Sequence, residues 1–371
     1  MSAVRLLPLI ALFACNGGED AVPTGTFTTY NAGLAIGFVP GANERLDTVA
    51  EGIAGIDADF VCLQEVWTPA QVDAVASASG TAFPHQFFPA AQQLTQEAPA
   101  CPDGELEALL TCANETCDDA CIDELPGCVQ GGCPFQFISL ATDCLRCTMA
   151  NVGGAIEDIA AACETQTTEY AYGGSFGTGI LSKHPILSTE ERVLDSTTNR
   201  RSVVHAVIDM PHGPQDVYCT HLTASFDLIP YPRTEGSWSE EQTQQVDDLR
   251  AFVDDTSTGP VVALGDFNVG PSGDGLTAEE PANYDALVVG YDNPYLDLDG
   301  RCTFCGDNPL VALGGDDNES ELIDHALFRG FDAPTYSVAR ILDGALDHET
   351  CGASVQGAYS DHYGVSVTLN P

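Results

Sequence analysis

The sequence predicts an α/β or α+β fold in which two β-sheets pack against each other beneath outer helices, with a Cys-rich, mainly helical insertion breaking the pattern. Short runs rich in β-branched and aromatic residues alternate with amphipathic helical stretches, without internal repeats. Nine cysteines fall between Cys101 and Cys163, where that alternation lapses. At 371 residues, 44% hydrophobic and 18% charged, the chain can bury the full core of one large domain or two small ones.

The elements follow in chain order. Residues 27–31 read as a strand and 45–53 as a helix, because Leu46, Val49, Ala50 and Ile53 fall on one face. Residues 59–65 read as the next strand, and others are expected at 179–182, 203–209, 217–221, 261–264, 322–328, 336–341 and 364–369. Segment 239–253 is helical by period: Ser239 and Gln242 can form a capping box, and Val246, Leu249, Phe252 and Val253 share a face. Residues 91–168 match neither period for long. The four-residue spacing of Cys117 and Cys121 and the Ala-rich run 156–163 suggest a disulfide-stapled helical insertion there.

Residues 1–14 carry Arg5 and then the apolar run 6–13, which as a helix spans only about 12 Å, far short of a membrane's hydrocarbon core of about 30 Å. This is an export signal. Leu12-Phe13-Ala14-Cys15 resembles a bacterial lipoprotein box, which implies cleavage before Cys15 and lipidation of its thiol; an ordinary secretory peptide is the alternative. Residues 15–25 then form a tether and 26–371 the folded domain, interrupted by 91–168. The expected location is exported, either lipid-anchored to a bacterial membrane or cell surface through Cys15, or secreted.

Fifteen cysteines suit an oxidising compartment. Nine in the insertion cannot all pair among themselves, so at least one must cross to the body, where Cys302, Cys305 and Cys351 lie. Those twelve thiols would give six bridges. Cys62 and Cys219, inside strand-like runs, would remain as free, buried, small hydrophobes. A zinc site built from Cys144, Cys147, Cys302 and Cys305 is the competing reading.

Twelve Lys+Arg against 55 Asp+Glu give a net charge of -43. Affinity for a phosphate backbone comes from Lys and Arg displacing counterions, so extended nucleic acid is not an expected partner. Such acidity keeps a protein soluble in an ion-rich medium.

Polar residues stand where the predicted strands end. Asn31 closes the first, Gln64 and Glu65 the second, and His221 follows 217–220. Asp266 and Asn268 follow 261–265, Asp324 follows Leu322-Ile323, and Asp361-His362 precede the last strand. Each alone would be an ordinary turn or solvated strand end. Emerging from one edge of a packed sheet, they would converge in one cleft. Carboxylates and amide oxygens with few cationic neighbours suit a hard divalent cation such as Mg²⁺, and histidines beside them suit proton transfer. His205, His212 and His348 have no motif around them and are expected to be structural or exposed, and His325 should point away from the cleft by strand alternation.

The ordered series Tyr30-Asn31, Leu63-Gln64-Glu65-Val66, 179–186, Thr220-His221-Leu222, Gly265-Asp266-Phe267-Asn268, Ile323-Asp324-His325 and Ser360-Asp361-His362 resembles the endonuclease/exonuclease/phosphatase superfamily, which includes DNase I-like nucleases, neutral sphingomyelinases and inositol-polyphosphate phosphatases. The resemblance runs from Phe27 to the C-terminus, apart from 91–168. It implies a four-layer α/β sandwich. It also implies that Glu65 is the principal metal ligand, with Asn31 beside it and Asp361 at the metal's edge. Asp266 and Asn268 would orient water and phosphate oxygens, and His362, held by Asp324, would be the general base or polarise the phosphate. His221 would bind the phosphate or help protonate the leaving group. The implied chemistry is Mg²⁺-dependent, or Mn²⁺-dependent, in-line hydrolysis of a phosphoester by a monomer.

Thr220 to Ala224, the helix with Gln242 to Gln245, and the region of Cys302, Thr303 and Asn308 are similar to sphingomyelinase-type members. They imply a sphingomyelinase C-type phosphodiesterase acting on a phospholipid. A secreted DNase I-like endonuclease is the alternative, disfavoured by the scarcity of cations near the motifs, where only Lys183, Arg200, Arg201 and Arg233 lie. A non-catalytic surface-binding lipoprotein would be free to lose these groups, and none is lost. The apolar stretch 226–231 is either ordinary packing or a face toward a lipid interface.

Overall fold

The computed structural model describes residues 23–96, 99–165, 167–226, 229–314 and 320–370. The export signal, Cys15 and most of the tether lie outside the described residues.

Eleven strands build two sheets. In chain order they are β1 (Gly25–Asn31), β2 (Phe60–Gln64), β3 (His85–Phe87), β4 (Gly179–Ser182), β5 (Ile186–Leu194), β6 (Arg201–Met210), β7 (Gly213–His221), β8 (Val261–Asp266), β9 (Asp324–Arg329), β10 (Thr335–Ile341) and β11 (Gly364–Asn370). The first sheet has the order β10-β11-β1-β2-β4-β3 and the second β9-β8-β7-β6-β5.

Alternation along the strands explains the layers, because successive side chains point to opposite faces. Phe27, Phe60, Cys62, Val217, Cys219, Val262 and Leu264 fill the core between the sheets. Their neighbours Tyr30, Val61 and Leu63 instead meet Val49, Ile53 and Val75 from helices Ala42–Ala54 and Pro69–Ser79. On the other side Tyr218, Val261 and Ala263 meet Leu249, Phe252 and Val253 of helix Trp238–Thr256. Strands buried on both faces read as continuous apolar runs, as these do. The arrangement is the four-layer sandwich that the motifs implied.

The expected capping box at Ser239 is displaced. Ser237 caps the helix by accepting from the Glu240 amide, and Gln242 is buried inside the first turns. Ser239 lies two residues too far along, where the backbone is already helical.

Insertion helices Glu107–Thr116, Leu125–Gly132, Pro134–Ile138, Thr142–Ala150 and Ile156–Thr165 surround a small core of Leu106, Leu109, Val129, Leu145 and Met149. Cys101–Cys144, Cys112–Cys133, Cys117–Cys128 and Cys147–Cys163 staple it, and Cys121–Cys351 is the bond that crosses to the body. The six bridges expected of those twelve thiols are present, the sixth joining Cys302 to Cys305, which leaves the competing zinc site without ligands. One expectation fails. Cys62 and Cys219 are bonded and not free. Both point into the inter-sheet core, and parity along single strands does not reveal that two strands from different sheets bring their thiols face to face.

Candidate active site

Strand register assembles the site. β1 and β2 run parallel with Asn31 opposite Gln64, and β7 and β8 run parallel with His221 opposite Asp266. β9 runs antiparallel to β8, so its first residue, Asp324, pairs with Asp266. Three polar side chains therefore stand abreast at one edge of the second sheet, facing those of the first, at the carboxyl ends of the parallel strands where open α/β sheets place ligands.

Asn31 spans the two sheets by donating its side-chain amide to Asp266 Oδ2 at 2.9 Å. His221 Nε2 lies 3.4 Å and His362 Nε2 3.8 Å from that same oxygen. His362 Nδ1 is 2.8 Å from Asp324 Oδ2, which orients the ring. The amide of Asn268 donates to Asp266 Oδ1, and the Asn268 side chain donates to Leu222 O, behind His221. Glu65 and Asn268 both adopt left-handed backbone, with φ 58 and φ 50. Non-Gly residues there cost on the order of 1–2 kcal/mol each, a strain that clusters at functional sites.

Asp361 reaches the same pocket. Its loop is held by Asn308, whose side chain donates to the carbonyls of Ser360 and Asp361, and by Ser360, whose hydroxyl donates to Asp361 Oδ1. Gly33 lies against this loop with φ 56, and a Cβ there would overlap Asp361 Oδ1 and Ser360 Oγ. Thr303 Oγ1 accepts the amides of Ile323 and Asp324 at the start of β9.

Burial and like charge push Glu65 and Asp266 out of the usual carboxylate range: Asp361 is the main charge acting on Glu65, and Asp324 on Asp266. Glu65 Oε2 and Asp324 Oδ1 are buried without a hydrogen-bond partner. Oxygens of Asp266 and Asp324 and a nitrogen of His362 lie within 4.8 Å of one another. Glu65, with an unpartnered buried oxygen beside the charge of Asp361, fits a hard divalent cation, which would add positive charge to that of Arg201.

The two imidazoles are driven apart. Burial, Arg201 and His362 hold His221 well below the ordinary histidine range. Burial also presses on His362, but the charges of Asp324 and Asp266 outweigh it and hold that ring well above the range. These directions favour the neutral form of His221 and the protonated form of His362.

Sequence reasoning did not assign Arg201 a role. It opens β6, is 5% exposed, lines the pocket, and leaves Nε and Nη1 unpartnered. Burial lowers it to about 10, so it stays charged at neutral pH. Its guanidinium lies 5.7 Å from the ring centre of Trp67. Gln242 and Gln245, marked in the sequence as a capping partner and as part of a sphingomyelinase-like helix, serve the site through their side-chain amides. Gln242 donates to Thr223 O and Asn268 O, while Gln245 accepts from the Thr223 amide. The signal was present as buried polar residues on the apolar face of a helix. His325 points away from the cleft, where Nε2 meets Val269 O and Nδ1 meets Asn293. His205 is paired with Asp216 beneath helix Trp238–Thr256, and His348 is packed near Gly41 and Gly357.

Glu65, Arg201, His221, Asp266, Asn268, Asp361 and His362 line one cavity of about 1280 Å³. Phe226 and Tyr231 stand edge-on to Trp238, whose indole donates to Ile229 O, so the described part of 226–231 packs against the insertion. Leu228 lies outside the described residues.

The sequence profile of the endonuclease/exonuclease/phosphatase family matches residues 28–362. No curated protein matches. Among solved structures, sphingomyelinase C from Streptomyces griseocarneus superposes with TM-score 0.58 at 16% identity, covering 94% of this chain and 100% of that one. The beta toxin of Staphylococcus aureus, as a double mutant with bound magnesium ions, gives 0.57 at 13% identity over 94% and 100%. A humanized D. rerio TDP2 gives 0.51 at 15% over 94% and 99%. At these identities the likeness is one of fold.

Proposed function

We propose, for a chain that belongs to the endonuclease/exonuclease/phosphatase family, a metal-dependent phosphodiesterase of the sphingomyelinase C type that splits a phospholipid into a phosphorylated headgroup and an apolar remainder. The observation that carries the reading is the meeting of Glu65, His221, Asp266 and His362 in one pocket from four separated parts of the chain. The sphingomyelinase C fold supports the substrate class, and the scarcity of cations at net charge -43 weighs against a nuclease.

Glu65, with Asn31 and Asp361 beside it, would hold Mg²⁺ or Mn²⁺. Such an ion offsets charge on the phosphoryl and leaving oxygens. Asp266, whose affinity for a proton is raised, takes one from the attacking water as the water oxygen bonds to phosphorus. The P–O bond to the leaving alcohol breaks, and the departing oxygen takes its proton from solvent. Of the two roles open to His362, polarising the phosphate suits it better than general base, because Asp324 keeps it protonated. It lies on the same side as Asp266, so it bonds a non-bridging oxygen and not the in-line leaving group. Arg201 and neutral His221 hydrogen-bond the remaining phosphoryl oxygens. The protein acts after export, anchored through lipidated Cys15 or secreted.

The test is hydrolysis of bis-p-nitrophenyl phosphate, sphingomyelin vesicles and plasmid DNA with Mg²⁺ or EDTA. Metal-dependent turnover of the first two supports the reading; plasmid nicking in place of sphingomyelin hydrolysis overturns the substrate class, and no turnover overturns the activity.

A further inference from the structure

The candidate site residues line only part of the cavity; residues of the Cys-rich insertion line another part. Leu110, Val129, Phe137 and Ile156 line the same continuous space as Glu65 and His362. Leu110, Phe137 and Ile156 are half-buried, packed on the insertion's core on one side and open to the cavity on the other. Phe38, Ile122 and Leu313 extend this lining, at 37%, 47% and 48% exposure. At about 1280 Å³ the cavity exceeds the roughly 300–1,000 Å³ usual for small-ligand pockets, leaving room well beyond a phosphate and its headgroup.

We propose that the insertion is the specificity wall of the enzyme: it draws the apolar chain of an amphiphilic phosphodiester out of water into the trough, with the phosphate at Glu65 and His362. The inference rests on the phosphodiesterase reading and narrows its substrate to single amphiphile molecules bound chain-first, as opposed to a headgroup read from above a bilayer. Charge points the same way. A chain of net charge -43 is repelled by anionic lipid surfaces, so affinity for a lipid must come from apolar burial and not from attraction to headgroups. Continuity of the trough with the catalytic pocket identifies the occupant as part of the substrate and not a separate partner.

The experiment uses the full chain with Mg²⁺ and a series of alkyl phosphocholines, ethyl, butyl, octyl and dodecyl, each below its micelle-forming concentration and read by release of phosphocholine, so that the chain stands on the departing oxygen as in the proposed reaction. Burial of each added methylene should raise kcat/KM about fourfold until the trough is filled. Ile156→Asn should flatten the series while leaving the ethyl ester within about twofold of wild type; should that variant not fold, Phe137→Ser replaces it, and the wild-type slope decides by itself. A flat wild-type series with steady turnover of the ethyl ester overturns the trough and leaves the phosphodiesterase reading standing. Absence of turnover for every ester overturns both.

Discussion

The disulfide between Cys62 and Cys219 crosses the inter-sheet core directly behind the catalytic pocket, two residues before His221 on β7 and three before Glu65 on β2. It closes a separation of 157 residues and fixes the spacing of the two sheets beneath the cavity that Glu65 and His221 both line. Cys62→Ala with Cys219→Ala should lower stability by about 5 kcal/mol, read from the denaturant midpoint, because the unfolded chain regains the entropy of a long loop. Phosphodiesterase activity below the melting range should fall with it as Glu65 loosens. An unchanged midpoint would contradict the stapling role.

Glu65→Gln keeps the shape and removes the charge. Activity should drop by about 10² or more, and the Mg²⁺ concentration for half-maximal rate should rise, measured on bis-p-nitrophenyl phosphate. A wild-type metal dependence in this variant would remove Glu65 from the ligand set.

Asp324→Asn probes the pairing with His362. With the carboxylate neutralised, the His362 imidazole loses the charge that lifts it, so its protonated form disappears at lower pH. The alkaline limb of the kcat profile should therefore move to lower pH, and His362→Ala should cut turnover by about 10² or more. A profile that does not move would show that protonated His362 is not needed.

Gln242→Leu leaves the buried carbonyls of Thr223 and Asn268 without their donor, at a cost of about 2 kcal/mol. Because Asn268 also meets Asp266, kcat should fall while KM for a small diester holds. Thermal unfolding and steady-state kinetics together check both halves.

His325 makes acid stability testable. Burial lowers it to about 4 despite its bond to Val269 O and the nearby Asp324 charge, against about 6.5 in the unfolded chain. Between those values the unfolded chain binds the extra proton. Stability is therefore full above about pH 6.5 and falls as the pH drops toward 4, by on the order of 3 kcal/mol. His325→Gln, followed by urea titration across that range, should show a shallower slope.

Much of the site was legible beforehand because it sits at strand ends. Asn31, His221 and Asp266 are the last residues of β1, β7 and β8, so an apolar run followed by a polar residue marked each of them. The insertion was legible through its cysteines. Ser237 was passed over for Ser239 because cap positions depend on where the backbone leaves the extended region, which side-chain pattern locates only loosely. The apolar stretch 226–231 had two readings; in its described part Phe226 and Ile229 pack on Trp238 and the insertion and also line the cavity.

The succession of β-rich apolar runs and amphipathic helical stretches by itself determined the two-sheet architecture, and the polar residue closing each run the set of strand ends, since a strand buried on both faces must be apolar along its length. Only the tertiary structure decided which thiols meet, that Arg201 enters the pocket, and that the insertion walls the cleft. Those facts depend on the register and approach of segments far apart in the chain, as with the 157 residues between Cys62 and Cys219, and no short window of sequence encodes the distance between them.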